Sequence, residues 1–177
     1  MKRFQVLFAM LIVFVFFVSY GGIQASAACV NGGLDVLDND NNAIGSSDNA
    51  IVGPWEYQKS TNSFRGDHRY LPSSPTSSIY EYNWKFSSCS GHYGNVYAYV
   101  WDTKFSNERA SYRMFNHQSF PASQTLNVYL NQRTAPGGWN YVGKTTHAKT
   151  GVLALIVPTG ASGGTGADAA KIVYSSY

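Results

Sequence analysis

The sequence predicts an all-β protein: an antiparallel β-sandwich, jelly-roll-like, in a single domain. Three observations carry this. Helical periodicity is scarce, whereas alternation of apolar and polar residues with the period of a strand is frequent. β-branched and aromatic residues gather in short runs, the composition that suits a pleated, half-buried surface. Turn-forming segments rich in Gly, Pro, Asn and Ser separate those runs at intervals of about 10 to 20 residues. A content of 44% hydrophobic and 15% aromatic residues is too apolar for a disordered chain.

The first 27 residues read as a secretory signal peptide. Met1-Lys2-Arg3 is a basic start, Val6 to Val18 is a run of 13 apolar residues, Gly21-Gly22 breaks the helix, and Ala25-Ser26-Ala27 is a small-x-small cleavage signal. The apolar run falls short of the ~18 to 20 residues of a spanning helix, so no membrane span is expected after cleavage. Cleavage after Ala27 leaves residues 28–177 as one secreted, extracellular domain of 150 residues, large enough to bury a sizeable core.

Along that domain, residues 30–78 are loaded with Asn, Asp, Ser and Gly and read as a surface-wandering stretch with one or two strands. Residues 79–86 (IYEYNWKF) set Tyr80, Tyr82, Trp84 and Phe86 on one side and Glu81, Asn83 and Lys85 on the other, a strand with one buried face. Further strands are expected at 95–101, 110–115, 125–130, 139–142, 152–157 and 170–174. The segments 88–94, 135–138 and 158–166 read as turns. No internal repeat and no second domain boundary is visible.

Cys29 and Cys89 are the only cysteines. In an oxidising compartment they are expected to form a structural disulfide. Closing a loop of about 60 residues would stabilise the fold by roughly 3 to 4 kcal/mol in the chain-entropy picture. They form no CxxC and supply too few ligands for zinc.

The whole chain has 13 Lys and Arg against 10 Asp and Glu, but Lys2 and Arg3 belong to the leader, leaving 11 against 10. A nearly neutral domain lacks the clustered basic stripe that nucleic acid requires. The aromatic content changes character at the same cut: residues 28–177 contain 4 Trp, 12 Tyr and 5 Phe. Flat rings with a polar edge suit the C–H faces and hydroxyls of sugars.

An ordered series of motifs gives the chain a family likeness. Val36-Leu37-Asp38-Asn39-Asp40 is followed by Gly53-Pro54-Trp55 and by Phe64-Arg65-Gly66-Asp67-His68-Arg69-Tyr70. Trp84-Lys85-Phe86, the Gly94 to Trp101 strand and Asn107-Glu108-Arg109-Ala110-Ser111-Tyr112 come next. Val128 to Gln132 then leads to Gly137-Gly138-Trp139-Asn140-Tyr141-Val142-Gly143, and the series closes on Ala167-Asp168-Ala169-Ala170-Lys171-Ile172-Val173. Over 36–174 this order resembles the golvesin C-terminal-like domain, which also ends xanthan lyases and is similar to carbohydrate-binding modules. The resemblance implies a jelly-roll sandwich acting on polysaccharide or cell-surface material. It carries no catalytic residues to transfer, and the cysteine pair lies outside its pattern.

Motifs of other chemistries fail on context. Gly160-Ala161-Ser162-Gly163-Gly164 matches G-x-S-x-G, but a nucleophile elbow needs a later histidine, and the last one is His147. Gly164 to Ala169 mimics a dinucleotide fingerprint with too little chain after it for a βαβ unit. Asp38, Asp40 and Asn42 alternate like a calcium loop, yet Ala43 and Asn49 replace the Gly and Glu of an EF-hand. No cofactor and no metal site is expected; calcium on this stretch, with Asp35 and Asp48, stays open beside a plain Asx-turn reading. His68, His92, His117 and His147 share no metal-ligand spacing. Asp168 is expected to hydrogen-bond backbone and fix the last turn.

The leading expectation is a secreted non-catalytic module that binds polysaccharide or cell-envelope glycan by Trp and Tyr stacking. The binding candidates, chosen for turn-rich context, are Trp55, Tyr57, Tyr70, Trp101 and Trp139, with Asp67, Asn107, Arg109 and Gln132 as polar companions. Glycan binding predicts two or three exposed coplanar rings flanked by amides and acids. The alternatives are a structural or protein-interaction domain, with a broad apolar patch, and a small polysaccharide hydrolase, with two carboxylates facing across a cleft.

Overall fold

A computed structural model describes residues 30–39, 51–76, 79–86, 91–116, 123–146 and 151–176. Eleven strands are present among them: β1 (Leu34–Leu37), β2 (Glu56–Lys59), β3 (Asp67–Leu71), β4 (Tyr80–Lys85), β5 (Tyr93–Val100), β6 (Ala110–Phe115), β7 (Gln124–Leu130), β8 (Gly138–Lys144), β9 (Val152–Val157), β10 (Thr165–Ala167) and β11 (Ala170–Ser175). A single 3-10 turn, Phe64–Gly66, precedes β3. The expected leader, both cysteines of the expected Cys29–Cys89 bridge, and Asp40, Asn42 and Asp48 of the calcium-like stretch lie outside the described residues.

Two four-stranded antiparallel sheets make the sandwich, ordered β1-β11-β5-β8 and β4-β9-β6-β7. The first strand pairs with the last, and β4 and β5, β5 and β6, and β7 and β8 are chain neighbours in opposite sheets. That interleaving is the double Greek key of a jelly roll. A third, three-stranded sheet, β10-β3-β2, flanks it.

The alternation visible in the sequence sorts the two faces. On β5, Gly94, Val96, Ala98 and Val100 are buried, and Tyr93, Asn95, Tyr97 and Tyr99 stand between them on the other face. These small inward residues, with Ala170 and Ile172 of β11, meet large side chains from the opposite sheet: Tyr82, Trp84, Tyr112, Met114, Leu153 and Leu155. Small facing large fills the space between sheets at crystal-like density. Tyr82, Trp84 and Phe86 are buried, as their shared face predicts. β9 is buried at every position because it is central in its sheet, so its Val-Leu-Ala-Leu-Ile-Val run carries no alternation.

Two expectations need correction. Residues 30–78 hold three strands rather than one or two, and Val52 adds a bridge to Glu81 at the free edge of β4. The turn read over 158–166 ends in a strand, β10, whose three residues are fully buried. A Cβ on Gly166 would lie 2.2 Å from the Phe105 ring, so glycine here serves a close approach and not a turn.

Candidate ligand-binding face

The outward positions of the β1-β11-β5-β8 sheet form the most aromatic surface among the described residues. Register places Tyr97 opposite Tyr141, and Tyr99 opposite Trp139, on β5 and β8. On the other side of β5, Lys171 of β11 stands opposite Tyr97. Alternation spaces Tyr97, Tyr99 and Trp101 about 7 Å apart along the strand direction. Trp101, just past the end of β5, is 50% exposed and Tyr141 is 56% exposed, while Tyr97, Tyr99 and Trp139 are half-buried.

The rings brace one another. Tyr97 and Tyr141 meet at 5.3 Å and 62°, Tyr99 and Trp139 at 5.2 Å and 80°, and Tyr99 and Trp101 at 6.1 Å and 39°. Phe64, from the turn before β3, wedges its ring against both Tyr99 and Trp139. Burial, with the charge of Asp168 behind it, pushes the Tyr99 hydroxyl above its ordinary pKa, so it stays a donor at neutral pH. Lys171 Nζ lies 4.7 Å from the Tyr97 ring and 4.5 Å from Trp139, and Lys144 Nζ lies 4.6 Å from Tyr93. Trp101 rests on Gly137: a Cβ there would approach the indole to 2.9 Å. A recess of about 160 Å³ opens beside it, lined by Asp102, Gln132, Arg133 and Gly137 among others.

The expected site residues therefore divide. Trp101 and Trp139 belong to the aromatic face. Tyr57 is exposed on β2, away from that sheet, with the Arg69 guanidinium 5.0 Å above its ring. Arg109 covers the exposed ring of Tyr129 at 4.9 Å and edges a second cleft of about 370 Å³ on the other sheet, closed by Pro158 to Ser162. Trp55 turns inward against the core, its Nε1 donating to Val52 O at 3.1 Å and its ring edge on Tyr82. Tyr70 stacks on Phe105 at 15° and packs against the core.

Asn107 and Gln132 are buried connectors, although Gln132 also lines the recess beside Trp101. Asn107 Nδ2 donates to Thr165 Oγ1 at 2.8 Å. Gln132 Nε2 donates to Gly166 O and to Tyr112 Oη, and its Oε1 accepts the Gly166 N–H, so both anchor β10. Polar residues in turn-rich context satisfied buried backbone instead.

Asp67 joins a buried polar cluster. Asn39 Nδ2 donates to Asp67 Oδ1 at 2.7 Å and to Asp38 Oδ1 at 3.2 Å. Behind them Asp168, 1% exposed, accepts the Phe64 N–H on both oxygens at 3.1 and 3.2 Å, the backbone role expected of it. Burial first, then repulsion from Asp38 and Asp67, raises the Asp168 pKa to about 8 despite that bond. Ser63 Oγ shares a hydrogen bond of 2.6 Å with His68 Nδ1, and burial lowers the His68 pKa. Asp38 and Asp168 are buried within this cluster, and Asp67 is half-buried at its edge. Of the calcium-like stretch, Asp35 Oδ2 accepts Tyr174 Oη, Asp38 serves Asn39, and no group of three or more acidic, His or Cys side chains among the described residues could hold a metal.

Tyr97, Tyr99, Tyr141, Lys144 and Lys171 were not among the sequence candidates. For Tyr97 and Tyr99 the signal was present: from 97 to 101 every second residue is aromatic with Ala98 and Val100 between, so one face of that strand had to be the aromatic one. The coplanar platform expected for glycan is absent here; the rings are tilted, with Lys144 and Lys171 over them and Asp102 beside Trp101 at the margin.

No helix among the described residues is long and apolar enough to cross a membrane. No protein-family model matches the sequence, and no curated protein matches it. In fold the chain is similar to a xanthan lyase of Paenibacillus, with a TM-score of 0.53 and 18% identity over 79% of this chain. The likeness covers 13% of that enzyme's length, a domain-sized part of it, and at this identity it is a likeness of fold.

Proposed function

We propose that the chain is a secreted, non-catalytic binding module of the golvesin-like kind that captures polysaccharide or cell-envelope glycan on the outer face of the β1-β11-β5-β8 sheet. One observation carries this reading: Tyr97, Tyr99, Trp101, Trp139 and Tyr141 share that face, and its two most exposed rings, Trp101 and Tyr141, stand at its margins. Tyr97, Tyr99 and Trp139 pack against one another and Phe64, but Trp101 and Tyr141 keep half their surface open on the side away from the core. The tilted rings suit a single twisted glycan chain better than a flat crystalline surface. The part-length fold likeness to a xanthan lyase agrees with a role beside polysaccharide. Asp38 and Asp168 are buried and Asp67 is half-buried against Asn39, which favours a structural over a hydrolytic role for these three acids.

The test is retention of the purified domain on a panel of soluble polysaccharides and cell-wall material in native affinity electrophoresis, repeated with Trp101→Ala, Tyr141→Ala and, as a control off the face, Tyr57→Ala. Retardation lost in the first two and kept in the third is the expected result. No retardation by any polymer, or equal behaviour of all three variants, would overturn the reading.

A further inference from the structure

Resting on that reading, we infer that the ligand is an anionic, carboxylate-bearing polysaccharide, with Lys171 as the central anion contact of the aromatic face and Lys144 as the second. The charge distribution carries the inference. The domain as a whole is almost balanced, yet none of the outward positions of this sheet is an acid, and two are lysines. Neither ammonium has a carboxylate partner among the described residues; each is held over rings instead, Lys171 bridging Tyr97 and Trp139 and Lys144 over Tyr93.

Of the acids near the face, Asp168 lies buried behind Tyr99 and accepts the Phe64 N–H, and two others are held by close neighbours. Asp102, next to Trp101, folds its carboxylate back onto the Lys104 N–H at 2.9 Å, and Asp38 faces Arg65 at 3.9 Å. Arg65 itself lies over Phe64, which supports the Tyr99–Trp139 pair, and its charge is matched by Asp38.

The physical consequence is selectivity. A neutral polymer lying across these rings would strip water from two ammonium groups and return no counter-charge, whereas a uronate chain pairs them while its ring C–H groups meet Tyr and Trp. The rings fix each ammonium in place before the ligand arrives, which lowers the ordering cost. Single-stranded nucleic acid would also combine stacking with anions, but one phosphate per nucleotide calls for a longer basic track than two lysines supply.

The experiment uses polymers of shared backbone with acidic or neutral substituents: polygalacturonate against its methyl ester, and carboxymethylcellulose against hydroxyethylcellulose, with a thymidine oligonucleotide as a further arm. Expected is tighter binding to the acid of each pair, weakening as salt rises, and a loss of roughly threefold to tenfold in Lys171→Gln that Lys171→Arg restores. Matched thermal melts separate loss of contact from loss of fold. Equal affinity for acid and neutral forms, with binding still abolished by Trp101→Ala, would overturn the anionic assignment and leave the glycan face standing. Failure to bind any polysaccharide, or tighter binding to the oligonucleotide, would overturn both.

Discussion

Replacing Asp168 by Asn should flatten the dependence of stability on pH. Asp168 is buried, accepts the Phe64 N–H, and sits near Asp38 and Asp67, which together hold its pKa at about 8, against 3.8 for a free side chain. The folded state therefore binds a proton that the unfolded state releases. The stability this proton supplies is complete below about pH 4 and is lost as pH rises towards 8. Between those limits one proton corresponds to about 1.4 kcal/mol per pH unit, or about 3 kcal/mol from pH 5.5 to 7.5. For a domain of this size that is roughly 5 to 11 °C in Tm. His68 runs the other way: its lowered pKa costs stability as pH falls below its ordinary value of 6.5. Comparing the wild type with Asp168→Asn cancels that contribution. The Asn amide still accepts from Phe64 N–H and offers an N–H where the protonated acid offers its O–H. Thermal melts of both proteins from pH 5 to 9 should diverge, the variant becoming the more stable by pH 8. Parallel profiles would refute the reasoning, because they would mean that Asp168 is ionised in the fold.

Three further outcomes follow from particular contacts. Gly137→Ala should displace the Trp101 indole, since a Cβ would lie 2.9 Å from it, and weaken glycan binding with little effect on Tm, read by tryptophan fluorescence and affinity electrophoresis. Gln132→Ala should cost about 2 to 4 kcal/mol in denaturant unfolding, because the Gly166 N–H and C=O and the Tyr112 hydroxyl lose a buried partner together. Intact mass after alkylation without reductant should show no alkylated thiol on the secreted protein; two would refute the Cys29–Cys89 disulfide.

Local pattern made the sandwich legible where a strand has one wet face. The Tyr82-x-Trp84-x-Phe86 stripe and the outward tyrosines of β5 declare themselves by alternation alone. β10 does not, because a three-residue strand with a central glycine owes its existence to Gln132, Asn107 and Phe105, all far away in sequence. The same non-local pairing hid β1, whose partner β11 is the last strand of the chain. Site residues divided for a related reason. Turn-rich surroundings mark Trp101, which stands exposed, but also mark Gln132, whose amide bonds buried backbone, and Trp55, whose ring folds onto Tyr82. Whether a polar or aromatic side chain near a turn points out or in depends on what closes over it, and that is tertiary.

The central claim is that ligand lies across the outer aromatic face, and the four tryptophans report on it independently. In a ¹H–¹⁵N spectrum of the domain titrated with oligogalacturonate, the indole N–H signals of Trp101 and Trp139 should shift. Those of Trp84, in the core, and Trp55, bonded to Val52 O, should stay in place. Binding that leaves Trp101 and Trp139 unmoved would contradict the account.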